Sequence, residues 1–149
     1  MKLGELLNSK DFMHRDVVSV GPDDSVAIAI EKMNQHDRGA LPVRDNKGDL
    51  AGIITERDIV RRLFAIKDGS AQRTKVRDIM SSRVAIGNPN DDVSYAINVM
   101  AEKRIRHLPI VDGRDLIGMI SMRDLLRVQL EVTRTEVKYM SDYISGGHV

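Results

Sequence analysis

Two short motifs bring together side chains that could bind a small anionic molecule. Residues 52–58 read Gly-Ile-Ile-Thr-Glu-Arg-Asp and residues 118–124 read Gly-Met-Ile-Ser-Met-Arg-Asp. A helix that begins at the hydroxyl would expose unpaired N–H groups and partial positive charge, which suit a phosphate. A carboxylate one turn later can accept hydrogen bonds from a ribose diol. The motifs therefore predict two sets of nucleotide contacts, which are Thr55, Arg57 and Asp58, and Ser121, Arg123 and Asp124.

The same spacing also has a purely structural explanation. Ser or Thr followed three positions later by an acid forms a capping box, and such a cap stabilises a helix by about 1 kcal/mol. For a single copy this explanation is the better one. Two copies with the same order of glycine, hydroxyl, arginine and aspartate favour a shared binding role, and both explanations stay open at this point.

The motifs belong to a longer internal repeat. Residues 17–26 align with residues 84–93, and Leu41-Pro42-Val43 aligns with Leu108-Pro109-Ile110. A one-residue difference in the next turn separates these matches from the motifs themselves. An internal repeat of this kind determines the architecture of the whole fold.

Apolar periodicity predicts the same elements in each copy, namely strand, helix, two strands and helix. The first strands are expected at Val17–Val20 and Val84–Ile86, and the paired strands at 40–43 with 50–54 and at 107–111 with 116–120. The first helix of each copy places apolar residues on one face, since they are spaced by four and three positions. The acids before these helices are expected to cap them, and they are Asp23, Asp24, Asp91 and Asp92.

One copy exposes an apolar sheet face that it cannot bury alone, so the two copies are expected to pack around a pseudo-twofold axis. The predicted fold class is α/β, with repeats at 7–66 and 76–128, a polar linker at 67–75 and a helical tail at 129–149. A heptad-like seam continues into this tail through Leu126, Leu130, Thr133, Val137, Met140 and Ile144. Such a seam either folds back on its own domain or packs against a second chain.

The duplicated pattern, from about Leu7 to about Val128, resembles a tandem pair of cystathionine-β-synthase (CBS) domains, the Bateman module. The resemblance implies two β-α-β-β-α repeats packed sheet to sheet, twofold dimers, and clefts that bind AMP, ADP, ATP, NAD or S-adenosylmethionine. It implies that Asp58 and Asp124 bind ribose and that Thr55 and Ser121 lie near ribose or phosphate. It places the adenine pocket at the first strands, on Val17, Ser19, Val20, Val84 and Ile86.

The two copies differ just before Leu-Pro, where the second reads Arg104-Ile105-Arg106-His107 and the first reads Asp37-Arg38-Gly39-Ala40. Our hypothesis is that Arg106 and His107 add phosphate contacts, so that the two clefts differ in affinity. The alternative is that these are solvated charges at a strand edge, which is the preferred explanation for Arg104. His107 could equally be a hydrogen-bonded, partly buried histidine.

Composition and missing motifs narrow the function classes. With 23 basic and 22 acidic residues the net charge is +1, so no excess of positive charge would attract nucleic acid or anionic lipid. The chain has no cysteine, which excludes thiolate chemistry, and no apolar stretch of membrane-spanning length. The four histidines show no metal-ligand spacing, and there is no P-loop, Gly-x-Gly-x-x-Gly or His-Glu-x-x-His motif.

We therefore expect a cytoplasmic, non-catalytic regulatory module that binds an adenosine nucleotide as AMP, ADP, ATP or NAD(H). It is expected to form a homodimer and to relay the ligand state to a separate effector protein through a change in shape or rigidity. One alternative is a structural dimer with vestigial clefts. A nucleotide-processing enzyme is the other.

Overall fold

The computed structural model describes residues 1–12, 15–65 and 70–146. Several predicted features lie outside these ranges. They are His14, the end of the predicted first repeat at residue 66, the linker residues 67–69, and the tail residues 147–149 with His148.

The fold is mixed α/β and its elements occur twice in the same order. The first set is α1 (Leu3–Leu7), α2 (Val26–His36), β1 (Ala40–Arg44), β2 (Leu50–Thr55) and α3 (Glu56–Ala65). The second set is a 3₁₀ turn (Val76–Asp78), α4 (Val93–Lys103), β3 (His107–Asp112), β4 (Asp115–Ser121) and α5 (Met122–Gly146). The predicted paired strands are confirmed to within one residue at each end, and a helix lies at each place where one was predicted in the two repeats. Periodicity and turn residues define these elements locally.

Each repeat contains one antiparallel hairpin. Leu41 pairs with Ile54 in β1 and β2, and Leu108 pairs with Ile120 in β3 and β4. All four side chains are buried, at 0–2% exposure, in the core of their own repeat. The hairpin strands therefore supply the centre of each core.

The predicted first strands are wrong, because each is reduced to one parallel bridge. Val20 pairs with Val43 and Gly87 pairs with Ile110, and no other residue of 15–20 or 84–87 is in a strand or bridge. Val20 N donates to Pro42 O at 3.1 Å and Gly87 N donates to Pro109 O at 2.8 Å. The residues before each bridge leave the sheet because they cross from one repeat to the other, as the two cores show.

The predicted aspartate caps are also wrong for Asp23, Asp24 and Asp91. Ser25 caps α2, with its Oγ accepting from Ile28 N at 3.2 Å. Asp24 and Asp91 instead brace the turns before the helices, where each accepts from the backbone N–H three residues earlier at 2.8 Å. Asp23 pairs with Lys75 and Arg77, while Asp92 holds the cap position of α4 without a side-chain hydrogen bond.

Each hydrophobic core is completed by the segment that precedes the other repeat. Leu3, Leu6 and Phe12 are buried in the core of the second repeat, whereas Val76 and Ile79 are buried in the core of the first. Two backbone bridges repeat this exchange with pseudo-symmetry, Lys2 with Asp92 and Lys75 with Ser25. The two repeats therefore depend on each other for a closed core.

This exchange forces the chain to cross between the repeats twice. The chain passes from Phe12 in the second core to Val20 in the first, and from Ile79 in the first core to Gly87 beside the second. We call residues 15–19 the first crossing segment and residues 82–86 the second crossing segment. The first of these lies at the candidate site.

Candidate functional site

A cleft of about 810 Å³ opens between the two repeats. The hairpins line it from both sides with apolar residues, Ala40 and Pro42 from β1 and Ile117 and Met119 from β4. Because side chains alternate along a strand, Ile117, Met119 and Ser121 share the cleft-facing side of β4, while Leu116 and Ile120 are buried. The sheets thus form an apolar wall that leads to Ser121.

The first crossing segment lines the same cleft with Arg15, Asp16, Val17 and Val18. Val17 and Val18 are half-buried, and Arg15 and Asp16 are exposed. Their position follows from the exchanged cores, since this stretch connects Phe12 to Val20. A segment of the first repeat is therefore brought to the motif of the second.

The second motif forms a complete capping box at the start of α5. Ser121 N donates to Asp124 Oδ2 at 2.9 Å, and Asp124 N donates to Ser121 Oγ at 3.1 Å. Both residues also line the cleft. The structural and the binding explanations of this motif are therefore compatible, because Asp124 Oδ1 accepts no hydrogen bond from the described residues.

An ion pair joins the first crossing segment to this box. Arg15 Nη1 lies 3.5 Å from Asp124 Oδ2, with side-chain exposures of 32% and 13%. The Arg15 guanidinium also lies over the Phe12 ring, 4.3 Å from its centroid. Partial burial strengthens the electrostatic interaction of Asp124 with any polar group that enters the cleft.

The start of α5 offers fewer open N–H groups than the sequence suggested. Met122 N donates to Arg106 O at 2.8 Å, and Asp124 N is taken by Ser121. Of the first three helical N–H groups, only that of Arg123 has no partner in the described parts of the chain. An anion in this cleft would therefore depend more on guanidinium groups than on the helix terminus.

Guanidinium groups are abundant in the lining. Five arginines line the cleft with four carboxylates, and they are Arg15, Arg38, Arg106, Arg123 and Arg127, with Asp16, Asp37, Glu56 and Asp124. Between the described residues, the Arg15–Asp124 pair is the one ion pair that involves any of them. Several arginines in the lining thus remain available to an anionic ligand.

His107 is half-buried at the start of β3 and lines the cleft. A Cβ placed on Gly39 would lie 3.5 Å from His107 Nε2 and 3.7 Å from Glu56 Oε2, so the two repeats meet at this point. Burial lowers the pKa of His107 below its ordinary value of 6.5, and nearby Arg106 lowers it further. Asp124 and Glu56 oppose this lowering of the pKa, but burial is the larger effect.

The structure brings six of the predicted site residues to this cleft: Val17, Arg106, His107, Ser121, Arg123 and Asp124. The other seven lie outside its lining: Ser19, Val20, Thr55, Arg57, Asp58, Val84 and Ile86. Val20 is a core residue, Ser19 O accepts from Lys32 Nζ at 2.8 Å, and Ile86 is 54% exposed. Of the five positions predicted for the adenine pocket, Val17 therefore lines this cleft and the other four do not.

The first motif repeats the capping box. Thr55 N donates to Asp58 Oδ2 at 3.0 Å, and Asp58 N donates to Thr55 Oγ1 at 3.1 Å. β2 of this repeat pairs with the residue just before the second crossing segment, through the bridge of Ile53 with Ser81. The two capping boxes are therefore built alike, but the described cleft is lined by the hydroxyl and carboxylate residues of the second box, Ser121 and Asp124, and not by those of the first.

Several lining residues had no signal in the sequence. Nothing in the neighbouring sequence distinguishes them from other charged residues, and they are Arg15, Asp16, Arg38, Glu56 and Arg127. Arg15 meets Asp124 across 109 positions, which no short motif can reveal. They come together because the two repeats exchange core segments, which brings residues from both repeats to one cleft.

Within residues 1–12, 15–65 and 70–146, no group of three or more His, Asp or Glu side chains is arranged to hold a metal ion. No helix in those ranges is both long enough and apolar enough to cross a membrane.

Known proteins are similar to this chain in sequence and in fold. The chain is 38% identical over 130 residues to the mitochondrial CBS domain-containing protein CBSX3 of Arabidopsis thaliana, which covers 85% of this chain and 63% of that protein. It thus spans less than two thirds of the length of this relative. It is 40% identical over 116 residues to the CBS domain-containing protein YhcV of Bacillus subtilis, which covers 78% and 81%.

Solved structures of CBS-domain proteins have the same fold as this chain. A CBS-domain protein from Burkholderia ambifaria MC40-6 superposes with a TM-score of 0.80 at 34% identity, over 88% of this chain and 95% of that one. The fold is also shared with two ligand-bound proteins, each with a TM-score of 0.72. One is the MJ0100 CBS domain pair with 5-methylthioadenosine and S-adenosyl-L-methionine, at 24% identity, and the other is CBSX2 with AMP, at 22%.

The family model described as the CBS domain matches the chain twice, over residues 10–65 and 76–131. These two matches account for most of the chain, and each contains one of the two hairpins. The chain therefore belongs to the CBS domain family and carries two of these domains in tandem.

Proposed function

We propose that the cleft between the repeats binds an adenosine nucleotide, as AMP, ADP, ATP or NAD(H), and that the protein acts as a non-catalytic regulatory module. In this proposal the protein is a cytoplasmic homodimer that relays its ligand state to a separate effector protein. The observation that carries the proposal is the Ser121–Asp124 box, which lines a cleft whose lining also holds five arginines.

Each part of a nucleotide has a matching part of the cleft. The unused oxygen of Asp124 can accept hydrogen bonds from a ribose diol. Arg106 and Arg123 can bind phosphate, because a guanidinium makes charge-assisted and often bidentate hydrogen bonds to phosphate oxygens. The apolar wall formed by Val17, Ile117 and Met119 suits the faces of a purine ring.

Ligand-bound members of the family support this proposal. A CBS domain pair that binds S-adenosyl-L-methionine and another protein that binds AMP share the fold of this chain. Both ligands contain adenosine, so the common element is the nucleoside. In this proposal the arginines in the cleft of this chain determine how many phosphate groups its ligand carries.

Binding without chemistry fits the two motifs. Asp58 and Asp124 accept equivalent hydrogen bonds in equivalent capping boxes. A hydrolase that works through two carboxylates instead places them in contrasting environments, so that one is an acid and the other a base. Two identical structural carboxylates in different repeats do not meet that requirement.

The cleft also offers a way to relay the ligand state. It is lined by the first crossing segment and β1 from one repeat and by β4 and α5 from the other. A ligand that contacts both repeats changes their relative position or rigidity by no more than its difference in affinity between the two states. An effector protein that recognises one state would then respond to the ligand.

Calorimetric titration with AMP, ADP, ATP, NAD, NADH and S-adenosylmethionine tests the proposal. The matched variants are Asp124→Asn and Asp58→Asn, because asparagine keeps an acceptor for each cap and removes the charge. We expect the tighter binding event to weaken about tenfold in Asp124→Asn, since a hydrogen bond to a charged group contributes about 1.5–3 kcal/mol. The same event should keep its affinity in Asp58→Asn.

Two outcomes would contradict the proposal in different ways. If no ligand binds at millimolar concentration, the structural dimer with vestigial clefts is the better description. If chromatography after prolonged incubation shows a converted nucleotide, the protein is an enzyme. Mass spectrometry of small molecules that purify with the protein would identify the ligand without bias.

A further inference from the structure

The last part of α5 is an amphipathic helix that lies exposed beyond the core of the second repeat. Every side chain from residue 129 to residue 144 is exposed. These include large apolar residues, with Leu130 at 56%, Val137 at 63% and Ile144 at 59% exposure. A helical segment of this length is marginal in water by itself, so its apolar stripe calls for a covering surface.

The spacing of the stripe identifies the kind of surface. Its members follow steps of four, three, four, three and four, and they are Leu126, Leu130, Thr133, Val137, Met140 and Ile144, which we call the tail seam. This average of 3.5 residues per repeat is the period of a left-handed coiled coil. Of the two alternatives for the seam, folding back on its own domain does not occur for its apolar residues, because they remain exposed.

We propose that the tail seams of two copies of this chain pack together as a parallel, in-register, two-stranded coiled coil. In the heptad, Leu130, Val137 and Ile144 take the a positions, and Leu126, Thr133 and Met140 take the d positions. β-Branched residues at a favour two strands in a parallel coiled coil, which matches Val137 and Ile144.

The polar member of the seam favours the parallel, in-register arrangement. Each Thr133 hydroxyl donates to Gln129 O of its own helix at 3.0 Å. In the parallel arrangement Thr133 faces Thr133 of the second copy, so one hydroxyl can keep this bond and accept a hydrogen bond from the other. In an antiparallel pair centred on the same seam, Thr133 would face the apolar Val137. A single polar layer of this kind selects register and orientation at a cost in stability.

The flanking charges favour the same orientation. An antiparallel pair would place Arg134 opposite Arg134 and Glu136 opposite Glu136 at its centre. A parallel pair places Arg134 opposite Gln129 and Glu136 opposite Ser141, which avoids both like-charge contacts. Contacts between like charges at an interface disfavour the arrangement that contains them.

The size of the exposed stripe is sufficient for a specific contact. Leu126, Leu130, Val137, Met140 and Ile144 are each 48–63% exposed in one copy. Burying them on two chains would remove on the order of 1,000 Å² from water, the lower limit for a specific interface. The contact is isologous, as expected for a twofold dimer.

Cysteine cross-linking of the full chain tests this proposal cleanly, because the natural sequence has no cysteine. The probe variant is Thr133→Cys in the seam, and the control is Thr135→Cys, an exposed position on the opposite side of α5. In a glutathione redox buffer we expect Thr133→Cys to form disulfide-linked dimers at least tenfold more readily than Thr135→Cys.

A mixture of Leu130→Cys and Met140→Cys chains reports the orientation. The parallel arrangement predicts links between identical positions, so Leu130→Cys should join Leu130→Cys. A predominant mixed link would show an antiparallel pair and overturn the proposal. Cross-linking of Thr133→Cys no greater than that of Thr135→Cys would overturn it as well.

A second substitution shows whether the link depends on the seam. Val137→Glu placed in the Thr133→Cys chain should remove the link, because it buries a charge in the seam. Lys138→Glu in the same background should keep the link, because Lys138 lies beside the seam. Equal links in both double variants would contradict the proposal, and circular dichroism confirms that each variant folds.

Discussion

Arg15 and Asp124 lie 109 positions apart in the chain, yet Arg15 Nη1 is 3.5 Å from Asp124 Oδ2. The contact joins the first crossing segment to the capping box of α5 at the cleft between the repeats. It exists because the N-terminal segment completes the core of the second repeat and then returns to the first. The exchange of core segments thus determines which residues line the cleft.

Replacing Arg15 with Gln should affect binding more than stability. The Arg15–Asp124 pair is partly exposed, so its loss should change the free energy of unfolding by less than about 1 kcal/mol. The affinity for AMP should fall several-fold relative to the affinity for adenosine, because the cleft loses one of the five guanidinium groups whose positive charge attracts a phosphate. Calorimetry with both ligands measures this ratio.

Arg114→Gln is the matched control, since Arg114 is exposed in the β3–β4 turn and lies outside the cleft lining. It should leave the ratio of AMP to adenosine affinity unchanged. An equal effect of the two substitutions would show that only net charge matters.

The two capping boxes should be equal in stability and unequal in binding. Thr55→Ala and Ser121→Ala each remove a hydroxyl that accepts from the backbone N–H three residues later, at 3.1 Å in both cases. Each should lower the free energy of unfolding by about 1 kcal/mol. Only Ser121→Ala should also weaken the tighter nucleotide-binding event, because only Ser121 lines the cleft.

Urea unfolding and calorimetry measure the two effects separately. If Thr55→Ala weakened the tighter binding event as much as Ser121→Ala did, the ligand would not occupy the described cleft.

Local features of the fold could be predicted from the sequence. Helices such as α2 follow from apolar spacing, and the hairpin turns follow from residues such as Gly48, whose φ is +85°. The capping boxes were also visible, because hydroxyl and acid lie three positions apart. In each case the determining contacts lie within one element or one turn.

Features that depend on distant contacts could not be predicted. The strand expected at Val17–Val20 is reduced to one bridge because the chain crosses to the other repeat there. Leu3 and Leu6 belong to the second core, which no periodicity in their own segment indicates. For the same reason the sequence indicated Asp124 as a site residue but not Arg15, its partner in the fold.

His107 should make the protein less stable in mild acid. Burial lowers its pKa in the folded state below the ordinary 6.5, so below that pH the unfolded chain binds more protons than the folded chain. This destabilisation is absent well above pH 6.5 and grows as the pH falls below it. His107→Gln should therefore lose less stability than the natural chain as the pH is lowered.

Urea unfolding of both proteins at about pH 8 and about pH 5 measures the difference. His36→Gln is the control, because His36 is exposed at the end of α2. If the unfolding free energies of the natural chain and of His107→Gln changed equally with pH, the loss of stability in acid would not come from His107.

Gly52 should tolerate alanine less well than Gly118 does. A Cβ on Gly52 would lie 2.6 Å from the backbone oxygen of Ser81, which is held by the bridge between the repeats. A Cβ on Gly118 would lie 2.7 Å from Leu7 Cδ2, the end of a side chain that can rotate. Overpacking typically costs about 1–3 kcal/mol, and we expect Gly52→Ala at the upper end of that range.

Urea unfolding of Gly52→Ala and Gly118→Ala measures which variant loses more free energy of unfolding. A larger loss in Gly118→Ala would show that β2 and the segment at Ser81 are not held as closely as the bridge indicates.

Photo-cross-linking tests most directly whether an adenosine nucleotide binds in the cleft between the repeats. An 8-azido analogue of the tightest-binding adenosine nucleotide is photo-cross-linked to the chain, and the labelled peptides are identified by mass spectrometry. We expect label on residues 15–18 or 117–119, which line the cleft, and loss of that label with excess unmodified nucleotide. Label that resists competition, or competed label confined to residues outside the cleft, would contradict binding in the cleft.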